Sequence, residues 1–301
     1  MKGALLNYEN TFYLDGAALS GIISFDGSYN LTTQPINVIG KGYLKQVLAE
    51  VPSASISLSR FLVNSDPILQ LTGDGYNYLA NSCSGGIVYN GKSFGFGTGY
   101  LNSFGINCSV GNIPQIQSTF DVYGNIGSGI NTSGNAVAGS VFVPQVKNIL
   151  VTCNQSTTNR VKEFTIDYKC PKIPIYALSE TSAEVPIEVH NQFPIEVISS
   201  FTIDVDDYET RRSFDILSNS NLNSLSVSIR GAVLNDIVLA GHDEIDILTW
   251  DDQQILLYSQ EIDSTPVFYF STDEAIIISE QVSATADDVL GVKLTYKSYL
   301  N

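Results

Sequence analysis

With 301 residues, 44% of them hydrophobic and only 15% charged, the chain can bury one large core or two ordinary ones, yet has little charge to spread over its surface. Its 31 Asp and Glu against 15 Lys and Arg give a formal net charge of -16, which repels nucleic-acid phosphates and argues against a DNA-gripping role. Ser, Thr, Asn, Gly and 16 Tyr make up the missing charge; this mixture suits pleated surfaces and turns, and long helices laced with Glu–Lys pairs are absent.

Taken in chain order, the segment Met1 to Glu9 has no sustained apolar run, so neither a secretory signal nor, further on, a membrane span is expected. A short strand is predicted over 20–26. Lys41 to Glu50 is the one helical stretch, with Leu44, Val47 and Leu48 at helical spacing before Pro52. Ala54, Ile56 and Leu58 then alternate with Ser55, Ser57 and Ser59, the period-two signature of a half-buried strand. After a run over 86–90, Gly95-Phe96-Gly97-Thr98-Gly99 reads as a hairpin or loop, because it lacks the spacing and following helix of a dinucleotide site. Ile116 to Tyr123 alternates again, and Gly124 to Ser140 has linker composition.

The second half repeats the style with more acid: 24 Asp and Glu against nine Lys and Arg, compared with seven against six in residues 1–150. Strands are predicted near 146–152, 164–168, 195–206, 225–229, 233–239, 245–249, 266–270, 275–279 and 289–296, while Asp251-Asp252, Asp273-Glu274 and Asp287-Asp288 read as turns. The predicted fold is all-β: two tandem β-sandwich or barrel domains, 1–126 and an acidic 141–301, joined by a linker over 127–140, each with at most one short flanking helix.

An internal echo supports the division. Ser57-Leu58-Ser59-Arg60 precedes Asp66 as Ser226-Val227-Ser228-Ile229-Arg230 precedes Asp236. A similar offset carries Ile22 to Phe25 onto Val189 to Ile195, and Thr119 to Tyr123 onto Val292 to Tyr296. Arg60, Asp66, Arg230 and Asp236 are therefore the candidate contacts between domains or subunits, with assembly expected to suffer from a charge reversal at Arg60.

Chemistry is sparsely provided. The two histidines, His190 and His242, lie far from Cys83, Cys108, Cys153 and Cys170, which form no zinc-type spacing and read as buried thiols. His242-Asp243 is the sole local candidate for a catalytic pair, and it reads more simply as a turn. Asp204 to Glu209 brings carboxylates together but lacks the glycine-punctuated loop of a calcium site. No catalytic, cofactor-binding or metal residue is assigned.

The wording of the first domain carries a resemblance. Leu19 to Tyr29, Gln34-Pro35-Ile36-Asn37, Ser57 to Arg60 with Asp66-Pro67-Ile68-Leu69, and Leu71-Thr72-Gly73-Asp74 resemble tail proteins of tailed bacteriophages. Cys108 to Pro114 with its following strand, and Phe193-Pro194-Ile195-Glu196-Val197, look like the tail-tube type. The resemblance implies a β domain whose sheets join around a ring, rings that stack into a hollow virion tube conducting DNA, and assembly in the host cytoplasm. Its implied partners are copies of itself in rings of three or six, with sheath, terminator and baseplate proteins beyond. The chain is about twice the length of a single-domain tube subunit, which a duplication would explain. Alternatives are another virion ring or decoration protein, and a carbohydrate-binding or adhesin module using its tyrosines and Trp250 as a platform.

Overall fold

The computed structural model describes residues 11–30, 33–36, 46–49, 53–62, 68, 80–89, 92–128, 135–136, 149–154, 156–176, 185–204, 223–229, 266–283 and 291–300. Within them the protein is built of antiparallel β strands with no α-helix, as its alternating sequence predicts. The first group of strands is β1 (Thr11–Leu14), β2 (Ala17–Leu19), β3 (Ile22–Asn30), β4 (Thr33–Ile36), β5 (Gln46–Ala49), β6 (Ser53–Phe61), β7 (Ser82–Tyr89), β8 (Lys92–Ser109) and β9 (Gln115–Val122). Two short strands follow, β10 (Ile126–Ser128) and β11 (Asn135–Ala136). The second group is β12 (Ile149–Cys153), β13 (Ser156–Thr158), β14 (Val161–Lys169), β15 (Lys172–Ile175), β16 (Glu188–Asn191), β17 (Ile195–Asp204), β18 (Asn223–Ile229), β19 (Phe268–Ser283) and β20 (Gly291–Leu300).

The two groups have the same pairing order. In the first, neighbouring strands run β2-β1-β7-β8-β9-β6-β3; in the second, β13-β12-β18-β19-β20-β17-β14. Each also carries a separate two-stranded hairpin, β4-β5 and β15-β16, with Pro35 and Pro174 in the same register position. Irregularities in pairing recur at matching places. Ile22 and Ser24 of β3 are matched by Val161 and Glu163 of β14, Cys83 and Gly85 of β7 by Asn223 and Leu225 of β18, and Leu101 and Ser103 of β8 by Ile277 and Ser279 of β19. A bulge re-aims its strand and pins register, so three shared bulges mark one backbone design used twice.

The first hairpin turns agree to the hydrogen bond. Asp15 and Asn154 both take positive φ, 47° and 48°, a conformation that Asp and Asn tolerate best among residues with a side chain beyond Cβ. The Asp15 amide donates to the Ser84 carbonyl at 2.8 Å and its carboxylate accepts from the Ser84 amide at 2.6 Å. The Asn154 amide donates to the Ser224 carbonyl, and its side-chain oxygen accepts from the Ser224 amide, both at 3.0 Å.

Sixteen strands form one hydrogen-bonded network, because β8 of the first copy pairs along its second half with β14 of the second. The apolar core is correspondingly continuous, from Phe12, Phe96 and Phe120 through Ile106 and Phe164 to Phe201 and Tyr296. Burying these faces supplies the main stabilisation, at roughly 25 cal/mol per Å² of apolar surface.

Several expectations need correction. Gln46–Ala49, inside the stretch with helical spacing, is a strand paired with Thr33–Ile36; a partner strand overrides a short local period, and the rest of that stretch lies outside the described residues. Gly95 to Gly99 lies inside the 18-residue β8 and is no loop. Its glycines answer a packing demand: a Cβ on Gly99 would stand 2.5 Å from the Phe96 ring, whereas the second copy has the smaller Thr272 in place of Phe96 and accepts Ala275 in place of Gly99. Asp273-Glu274 sits within β19, not in a turn. Within the presumed linker, Gly127 and Ser128 belong to β10, paired with β8, and Asn135–Ala136 runs parallel to β2. The echo of Ser57 to Arg60 in Ser226 to Ile229 does not follow the repeat, in which β6 corresponds to β17 and β18 to β7.

Candidate functional site

The surface most clearly set aside by the sequence is the outer face of the sheet β3-β6-β9-β8-β14-β17-β20-β19. Each strand turns alternate side chains into the core, so the opposite face is fixed by register. It carries Asp26 and Ser28 of β3, Ser55, Ser57 and Ser59 of β6, Gln115, Gln117, Thr119 and Asp121 of β9, and Ser103, Gly105 and Asn107 of β8. Across the junction it continues with Glu163, Thr165, Asp167 and Lys169 of β14, Glu196, Ile198, Ser200 and Thr202 of β17, and Lys293, Thr295 and Lys297 of β20.

Most of these side chains are hydroxyls and amides, bonded to one another across strands. Ser28 and Ser55 hydroxyls lie 2.9 Å apart, Thr165 and Ser200 hydroxyls 2.6 Å apart, and the Asn102 amide donates to Asp121 at 2.7 Å. Lys297 meets Glu196 at 2.6 Å and stands 5.0 Å above the Tyr299 ring. The hydrogen bond from Lys297 is the main reason the Glu196 carboxyl is held below its ordinary pKa. Where the two copies meet, the face dips into an open hollow of about 250 Å³ rimmed by Gly105, Asn107, Gln115, Gln117, Thr165 and Asp167. A Cβ on Gly105 would stand 2.9 Å from the Asp167 carboxylate, so a larger residue there would displace that side chain.

The sheet has two ends. β3 pairs with β6 on one side only, and the tip of β19 pairs only with β20. Among the described residues no strand lies along the other side of either, leaving rows of backbone donors and acceptors of the kind that invite another strand.

Of the four contact residues proposed from sequence, Arg60 alone is described. It is on β6 with 1% of its surface exposed, enclosed by its own chain at the register position that Ile203 fills in the second copy. Desolvation lowers its pKa to about 10, so a charge reversal there acts on folding before assembly. Asp66, Arg230 and Asp236 lie outside the described residues, as do His242, Trp250 and the acids at 206–209.

His190 lies on β16 with its Nε2 3.2 Å from Glu188, and no nucleophile accompanies the pair in the hydrogen-bond network described. The four cysteines are buried, free thiols; burial pushes Cys108 up to about 12 and also raises Cys83 and Cys153, which makes these three poor nucleophiles. Among the described residues no group of three or more His, Cys, Asp or Glu is placed to hold a metal. Edges that join around a ring are implied by the resemblance, but which strands form them was missed by residue-by-residue reading, because an edge is a property of pairing and leaves no local mark.

No protein-family model matches this sequence, and a search of curated proteins finds no significant match.

Proposed function

We propose that the chain is a structural, non-enzymatic subunit of a phage tail tube, forming rings that stack into a hollow conduit for DNA. The observation that carries this reading is an eight-stranded sheet made of two copies of one design, with no further strand at either end among the described residues and with a long polar face of hydroxyls and amides. A conduit must pass a polyanion without holding it. The described face suits that task, because its five carboxylates (Asp26, Asp121, Glu163, Asp167, Glu196) outnumber its three lysines (Lys169, Lys293, Lys297) and its remaining groups are mostly neutral. Low overall charge is tolerable in a protein much of whose surface becomes interface.

On this reading the partners are further copies of the chain around and along the tube, with terminator and baseplate proteins at its ends and any sheath outside it. The protein assembles in the host cytoplasm and ends in the virion. Electron microscopy of the purified protein at rising concentration tests the proposal: hollow filaments of uniform bore are expected, and a monomer at every concentration would sink it.

A further inference from the structure

The β8–β14 junction is a worked example of how one copy of the design joins the next, and it occurs once among the described strands. Cys108 faces Phe164, Ile106 faces Ile166, Gly105 faces Asp167 and Phe104 faces Tyr168, all antiparallel. Carrying this register through the repeat places the tip of β19 in the role of β8 and β3 in the role of β14. Those are the two strands along whose outer sides no strand lies among the described residues. We infer that the second copy of one chain joins the first copy of another by antiparallel pairing of β19 with β3, with Val282 opposite Gly27 and Gln281 opposite Ser28.

Burial marks the same two strands independently. Tyr168 and Tyr29 hold the same position in their copies, yet Tyr168 is 6% exposed and Tyr29 54%. Ile106 is 2% exposed, and Val282, its counterpart, 57%. Tyr29 and Val282 both lie on the core-facing side of their strands, since Tyr29 is opposite Ala54 and Val282 opposite buried Val292. Their buried counterparts Tyr168 and Ile106 sit where β8 and β14 cover each other, and among the described residues no strand covers Tyr29 or Val282 in that way. A further copy supplies that strand with the register already proven inside the chain.

The contact joins unlike surfaces, so every added chain presents a new β3 or a new β19 and the series ends only by closing on itself. The inference deepens the tube reading by naming the seam between chains, and its test is independent of stacking.

Two single variants, Ser28→Cys and Gln281→Cys, are mixed in equal amounts and exposed to a mild oxidant. The paired positions lie within disulfide reach across an antiparallel pair. A covalent dimer is expected in the mixture and in neither variant alone, and it is expected to vanish when Ser24→Cys, four residues out of register, replaces Ser28→Cys. Val282→Lys is expected to remove assembly while leaving the melting temperature of the single chain unchanged. Absence of the dimer, or equal yield from the Ser24 variant, overturns the seam. Closed rings carrying the crosslink without filaments sustain the seam and overturn the tube reading; filaments without the crosslink do the reverse.

Discussion

The two copies share a backbone and differ in what surrounds it. In the second, β14 is covered on both sides, by β17 and β8, and Phe164, Ile166 and Tyr168 are buried. In the first, the corresponding β3 has β6 alone among the described strands, and its residues from Asp26 to Asn30 are exposed. Similar residues thus sit in the core of one copy and on the surface of the other, and the difference lies in the neighbour, not in the strand. The copies also differ inside. Buried Arg60 stands where Ile203 does, and Phe96 fills space that Thr272 leaves to Ala275.

The largest effect tests that internal asymmetry. Arg60→Glu places an acid where the second copy keeps Ile203, and unfolding should lose about 3–5 kcal/mol by chemical denaturation, the range for disrupting a buried charge. Next is the tyrosine pair. Tyr168→Ala should cost about 3 kcal/mol of chain stability, while Tyr29→Ala should cost under about 0.5 kcal/mol and instead weaken self-association in sedimentation velocity. Equal stability losses for both would erase the distinction between closed and open junctions.

The shared turn should break alike in both copies. Asp15→Ala and Asn154→Ala each lose a side-chain acceptor for a backbone amide and leave positive φ to a residue without the polar side chain that eases it, at about 1–2 kcal/mol apiece in the same assay. The smallest effect belongs to Glu196 and Lys297, which face solvent in part. Because the folded carboxyl has a lowered pKa, its contribution is present above the ordinary carboxylate value and disappears as pH falls through the folded one. Glu196→Gln should therefore flatten the acid limb of a melting-temperature profile slightly and leave the neutral region nearly unchanged.

Much of the fold could be read from the chain, and the reasons are local. Serines at 55, 57 and 59 between apolar residues dictate a two-faced strand whatever it pairs with. β8 was hidden because glycines that punctuate loops elsewhere here make room for a phenylalanine ring. A duplication was legible but its register was not, because the copies share character at few positions, among them Ile22 and Val161, Phe25 and Phe164, and Tyr29 and Tyr168, and because the connection from β18 to β19 is far longer than that from β7 to β8. A constant offset then matches β9 with β20 correctly but carries β6 onto β18, and β3 onto β16 and the start of β17. The open edges were illegible for a deeper reason: Tyr29 and Tyr168 are the same amino acid, and only pairing tells them apart.

Covalent continuity through β8 and β14 has a kinetic corollary. One junction of the design is made within a single polypeptide, so it forms at a rate indifferent to dilution, with its partner held at a high effective concentration by the intervening chain. A gene encoding the copies separately would leave every such join to chance collision. In the proposed ring only alternate ones would depend on how crowded the solution is.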